Sequence, residues 1–187
     1  MDPDEVAGQD QPMATWIALL RAVNVGKRQY PMAQLREALG AAGFTGVQTH
    51  IQTGNVVLDS TLTDRGELTQ ALENVMLADR GFEVPVVLLS PEELSQVARE
   101  ARQLSDQHGP TSHYIAITAQ AISEPGSVTA LTREGELVVP GVRAVHLLLN
   151  KSFHEAKTTL PIIEKVVGVA TVRNLNVTST LAAKWGA

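Results

Sequence analysis

An uninterrupted apolar run, Trp16-Ile-Ala-Leu-Leu20, has the length of a buried strand. The loop Asn24-Val-Gly-Lys-Arg-Gln-Tyr30 follows, and Pro31 suits the first helical position, where a missing N–H leaves nothing unpaired. Met32, Leu35, Leu39 and Ala42 then recur at steps of three and four, the apolar face of a helix that Gly43 closes. Val47, Thr49 and Ile51 alternate with Gln48, His50 and Gln52, which predicts a strand with one polar face. Thr53, Gly54 and Asn55 are turn residues, and Val56-Val-Leu58 resumes as the second arm of a hairpin. Asp64 with Glu67 has capping-box spacing before a second helical stripe, Leu68, Ala71, Leu72 and Val75, that ends near Gly81. Residues 84–89 form a last strand, and Pro85 assigns it to a sheet edge because proline donates no ladder hydrogen bond.

Strand–helix–strand–strand–helix–strand within about 75 residues is the order of a split βαβ, ferredoxin-like unit. Ser90-Pro-Glu-Glu93 then opens a connecting helix with a capping box and a leading proline, its apolar stripe being Leu94, Val97, Ala98 and Ala101. The order repeats: a strand at 113–118, a short helix at 123–131, paired strands at 136–139 and 143–149 around Pro140-Gly141, a helix at 159–167 and a strand at 170–172. Asn174 caps a final helix carrying Val177, Leu181 and Trp185. The pattern therefore predicts an α+β protein of two ferredoxin-like, βαββαβ units packed together, with a connecting helix and a C-terminal helix. The units are expected at 13–89 and 90–187, with residues 1–12 as a disordered acidic tail and Met13 as an alternative start.

Charge sharpens this division. Asp2, Asp4, Glu5 and Asp10 carry much of the net charge of −5, so the remainder holds 15 basic against 16 acidic residues and is nearly neutral. Within it, Arg21, Lys27, Arg28 and Arg36 fall in an acid-free stretch, as do Lys165, Arg173 and Lys184. If folding brings these stretches together, they make a site for an anion. With no cysteine, disulfides, thiolate zinc sites and cysteine nucleophiles are excluded. No run approaches the roughly 18 apolar residues of a membrane helix, and no secretory leader is visible, so a cytoplasmic location is expected.

Three polar clusters can carry chemistry. Arg21, Asn24, Lys27 and Arg28 surround the first strand–loop–helix junction, where unpaired helix N–H groups attract phosphate or carboxylate. Gln52 and Asn55 flank the hairpin turn, and Arg173 with Asn174 precedes the last helix. Each also has a plain structural use, as turn former, helix cap or solvated cation. Neither a Walker loop nor G-x-G-x-x-G is present, no histidine pair has H-E-x-x-H spacing, and no G-x-S-x-G elbow occurs, so no cofactor and no metal are expected. Glu134 and Glu136 read as solvated carboxylates in a charged turn.

The strings Leu19-Leu-Arg-Ala-Val-Asn-Val-Gly26, Ile51-Gln-Thr-Gly-Asn-Val-Val57, Ser90-Pro-Glu-Glu-Leu94 and Thr171-Val-Arg-Asn174 resemble an uncharacterised bacterial family catalogued as domain of unknown function 1697. The resemblance runs from about Met13 to the C-terminus and implies a pair of ferredoxin-like plaits; it implies no activity. Lys27 stands where the family usually has a second glycine, and Leu175 where it favours tryptophan.

The leading functional expectation is a small anionic or phosphorylated ligand bound by Arg21, Asn24, Lys27, Arg28, Gln52, Asn55, Arg173 and Asn174. The alternative is a protein-interaction or homodimerisation module using the uncharged 38–58 segment. Nucleic-acid binding ranks last, because the body is near neutral and aromatics make up only 4% of the chain.

Overall fold

Strand β1 (Ala14–Leu20) is buried on both faces, and its alternation sorts its side chains into two different cores. The computed structural model describes residues 13–187, so the acidic segment expected to be disordered lies outside the described residues. After β1 come α1 (Met32–Ala41), β2 (Thr45–His50), β3 (Asn55–Ser60), α2 (Arg65–Arg80) and β4 (Val86–Leu89). These strands form an antiparallel sheet of order β2-β3-β1-β4, which puts β4, just after Pro85, at an edge. Helix α3 (Pro91–His108) leads to β5 (Ser112–Thr118), α4 (Pro125–Thr129), β6 (Glu136–Pro140), β7 (Ala144–Leu149), α5 (Leu160–Val167), β8 (Ala170–Asn174) and α6 (Leu175–Trp185). The second sheet has the matching order β6-β7-β5-β8 and is likewise antiparallel. The described residues thus form a mixed α+β structure with two four-stranded antiparallel sheets and six helices.

Local signals set the helix ends. Ser90 and Glu93 close the capping box of α3, and Gly109 ends that helix in the left-handed conformation. The Asp64 carboxylate accepts from the Glu67 N–H at the start of α2, and Gly81 ends it in the same left-handed way. Pro31 sits one place earlier than expected, as the N-cap residue of α1. A short 3-10 turn, Phe153–Glu155, was not legible from the periodicity.

Three apolar layers result. Trp16, Ala18 and Leu20 pack under α1 and α2 with Leu35, Leu68 and Leu72. Ala116, Val145 and Leu147 pack under α4 and α5 with Val128 and Ile163. Between the sheets, Ile17, Leu19, Val87 and Leu89 meet Leu94, Val97 and Ala101 of α3, Ile115 and Ile117 of β5 and Leu181 of α6. Each leucine, isoleucine or valine among them contributes about 1.5–3 kcal/mol when fully buried, so this middle layer is a shared core.

A buried arginine reinforces it. Arg143 donates to the carbonyls of Leu88 (3.0 Å), Thr118 (2.9 Å) and Ala119 (3.1 Å), joining the end of β4 to the end of β5. The Glu93 carboxylate accepts from Arg143 and, at 2.8 Å, from Arg65. Burial opposes the charge on Glu93, but the Ser90 N–H and the two guanidiniums prevail and hold its carboxyl below the usual range.

Candidate functional site

The loop after β1 and the β2–β3 turn lie side by side because Asn24 stitches them together. Its amide donates to the carbonyls of Gln52 (2.6 Å) and Tyr30 (3.0 Å), while its oxygen accepts from the Tyr30 N–H at 2.8 Å. The backbone of both loops is held in unusual conformations. Ala22, Asn24 and Ile51, with φ of 56°, 55° and 50°, are the non-glycine residues of positive φ among the described residues. Gly54 has φ 76°, and a Cβ there would come within 2.6 Å of Val23 and 2.7 Å of Leu20, so the turn can press onto the strand end only with glycine.

Arg173 fastens the second sheet beneath these loops. It is 8% exposed, and its guanidinium makes six hydrogen bonds. Nε donates to Asn55 Oδ1 at 2.6 Å, Nη1 to Thr171 Oγ1 and the Val172 carbonyl, and Nη2 to the carbonyls of Leu20, Thr53 and Gly54. All five N–H donors of the side chain are used. Desolvation pushes its pKa down to about 10, and it stays charged at neutral pH. No carboxylate pairs with it among the described residues, so neutral dipoles, carbonyl oxygens and the Thr171 hydroxyl, hold the buried charge. Asn55 completes the joint by donating to the His50 carbonyl (3.0 Å) and Thr53 Oγ1 (3.1 Å).

The expected residues therefore divide into three groups. Arg21, Asn24, Gln52, Asn55 and Arg173 come together at one junction between the sheets. Within it Arg173 and Asn55 face protein acceptors and donors, and Arg21 pairs with Glu164 at 2.7 Å while a third of its side chain stays exposed (33%). Asn174 is exposed next to Arg173 and caps α6 by accepting from the Val177 N–H at 2.8 Å. Lys27 is exposed on the outer rim, and Arg28 turns away to lie 5.0 Å over the Phe82 ring and donate to the Glu83 carbonyl. Val25 and Ile51, 65% and 45% exposed, form the loop tips.

Glu164 and Thr171 belong to this junction but were not expected there: Glu164 meets Arg21 only after the sheets pack, while Thr171 lies two residues before Arg173 on β8. Glu136 is a correction to the sequence reading. It is 1% exposed and accepts from the N–H groups of Lys157 (2.7 Å) and Thr158 (2.8 Å) and from Lys151 Nζ at 3.1 Å. Burial would raise its pKa, but these donors hold it at about 2. No group of three or more metal-ligating side chains occurs among the described residues. No described helix is long and apolar enough to cross a membrane.

Fold and junction together define a class: paired antiparallel α+β sheets whose strand-end loops are fastened across the middle by a buried arginine. Residues 13–142 match the family described as protein of unknown function (DUF1697), and the chain belongs to that family. It is similar to a solved structure, the conserved bacterial protein SP0830 from Streptococcus pneumoniae, with 18% identity and a TM-score of 0.70. That likeness covers 93% of this chain and 99% of the other, and at such identity it shows the fold alone. No curated protein matches the chain.

Proposed function

We propose that the chain consists of two ferredoxin-like units, 13–89 and 90–187, and that the loops joining them bind a small anionic or phosphorylated ligand. The shared strand orders, β2-β3-β1-β4 and β6-β7-β5-β8, support the first statement. One observation carries the second: a buried guanidinium with no carboxylate partner among the described residues lies directly beneath the two loops. Its field adds to that of Arg21 and Lys27 at the rim, and the ion pair of Arg21 with Glu164 offsets only one of these charges. Three strained non-glycine residues in the same loops fit a surface shaped for contact. Arg21 and Lys27 supply charge and the Gln52 side chain supplies hydrogen bonds, while Arg173, Asn55 and Asn24 act as the rigid base.

A thermal-shift screen with inorganic phosphate, nucleotides and phosphorylated metabolites tests this. A ligand present at a hundred times its Kd stabilises by about 2.7 kcal/mol and raises Tm by roughly 5–10 °C in a chain of this size. The Arg21→Ala, Lys27→Ala double variant should lose that rise while keeping its unliganded Tm within a few degrees. An empty screen, or a rise the double variant retains, overturns the proposal.

A second reading, a protein-interaction or dimerisation face, is favoured by the exposed apolar tips Val25 and Ile51. Light scattering that shows a dimer dispersed by Val25→Glu supports this reading over the first.

A further inference from the structure

Away from the loops, the inner face of the second sheet buries a chain of polar side chains under α3. Ser105 Oγ lies 3.1 Å from His113 Nδ1, His113 Nε2 lies 3.2 Å from His146 Nδ1, and His146 Nε2 lies 3.5 Å from Glu100 Oε2. Ile115 pairs with His146 and His113 with Leu148 across β5 and β7, so strand register aligns the two rings. Every link but the last meets hydrogen-bond geometry. His146 is 0% exposed, and among the described residues its Nε2 and the Glu100 Oε2 are buried atoms without a hydrogen-bond partner.

Those two unpartnered atoms lie at the back of a hollow of about 310 Å³ between α3 and the β6–β7 turn. Leu104, Val139, Pro140 and Val142 make its walls apolar, and Glu100 is the charged group among its lining residues. Arg99 and Arg102 line a separate groove between α3 and α6, and the neighbouring Arg143 is occupied by Glu93 and main-chain carbonyls. Gly141 forms the floor: a Cβ there would stand 2.2 Å from Glu100 Oε2 and 3.1 Å from His146 Nε2. Only glycine lets the turn lie this close to the polar pair, which the Glu100 side chain uncovers to the hollow when it turns.

We infer that this hollow binds a small organic amine, its ammonium group bridging Glu100 Oε2 and His146 Nε2 and its apolar body resting on Leu104, Val139 and Val142. The charge requirement follows from the carboxylate, which the His146 ring 3.5 Å away and the hydrogen bond from Gln96 hold below its usual pKa against the opposing effect of burial. The histidine relay supplies the acceptor. With Ser105 donating, the hydrogen bonds run toward Glu100 and leave a proton on His146 Nε2. A bound ammonium reverses them: His146 Nδ1–H donates to His113 Nε2, and His113 Nδ1–H donates to Ser105 Oγ. His146 Nε2 then carries a lone pair, and Ser105 and both rings stay neutral and partnered beside the charged Glu100. Glu100, 24% exposed at its side chain, can turn Oε2 toward the incoming group.

The test is calorimetry at pH 7 with a series of alkyl and aryl amines, each paired with the alcohol of the same skeleton, alongside nitrogen-15 NMR of the histidine rings. Amines of six to nine heavy atoms should bind at least about tenfold more tightly than their alcohols, because the charged hydrogen bond to the carboxylate is present only for the amine. The His146 Nε2 resonance should move from the protonated to the unprotonated range on binding. Glu100→Gln should remove the preference for amines. Val142→Trp, a change at the exposed mouth, should block both ligand types without affecting the fold and serves where Glu100→Gln is unstable. Equal affinity for amine and alcohol, no binding of either, or an unchanged His146 resonance on amine binding would each sink the inference. The phosphate screen of the loop face reads different residues, so either result can fail alone.

Discussion

Arg173 is a side chain whose removal should be felt throughout the protein. Deleting it leaves the buried Asn55 Oδ1 and the half-buried Thr53 carbonyl without their donor, and takes one of two donors from the carbonyls of Leu20 and Gly54. Arg173→Ala should therefore cost about 3–5 kcal/mol in urea unfolding, and Arg173→Lys should recover only part because an ammonium cannot reach the same set of acceptors. Two buried titratable residues make stability depend on pH in separate windows. Burial, and then the neighbouring His146, push His113 down from 6.5 to about 4. Between those values the unfolded chain binds the extra proton, so stability falls as pH drops from about 6.5 to 4, by on the order of 3 kcal/mol. Glu136, held at about 2 against 4.5 when unperturbed, acts lower: its contribution is complete above pH 4.5 and is lost as pH falls toward 2. His113→Gln should flatten the upper window and Glu136→Gln the lower one, as read from denaturation midpoints at closely spaced pH.

At the scale of elements, much was readable in advance. The capping box at Ser90 and Glu93, the cap at Asp64 and the left-handed stop at Gly81 are local signals, in which residues a few places apart satisfy one another's backbone groups. The edge placement of β4 follows from Pro85 in the same way. Glu136 was misread because its partners, Lys157 and Thr158, lie about 20 residues on and reach it only through tertiary packing. The candidate site was half legible. Turn composition pointed to Asn24, Gln52 and Asn55 as members of shaped loops, yet nothing local shows that Arg173 feeds its donors into them or that Arg28 leaves for Phe82. The relay of His113 and His146 could have been found only from strand register, since the two residues lie on different strands. The turn itself yields a sharp expectation. Gly54→Ala must place a Cβ against Leu20 and Val23 at positive φ, and should lower stability by about 2–4 kcal/mol in thermal or urea unfolding.

For the whole molecule, the shared middle layer decides how the chain unfolds. Ile17, Leu19, Val87 and Leu89 would face water if residues 13–89 were expressed alone, and Ile115, Ile117 and Leu181 if 90–187 were. We expect calorimetry on the intact chain to show a single transition with equal calorimetric and van't Hoff enthalpies. Each isolated half should bind a hydrophobic dye and associate, whereas mixing the two halves should restore a single folded species. Two resolved transitions for the intact chain would show that the halves are energetically separate.

Both fasteners of the molecule, Arg143 and Arg173, grip mainly main-chain oxygens of their neighbours: Leu88, Thr118 and Ala119 in one case, Leu20, Thr53, Gly54 and Val172 in the other. A carbonyl survives any mutation of the residue that owns it. The clamped segments are thus free to drift in sequence while the two arginines keep the sheets in the same pose, as long as the turn glycine is retained. Divergent relatives should accordingly vary at the gripped positions and still superimpose, with change penalised at the gripping side chains.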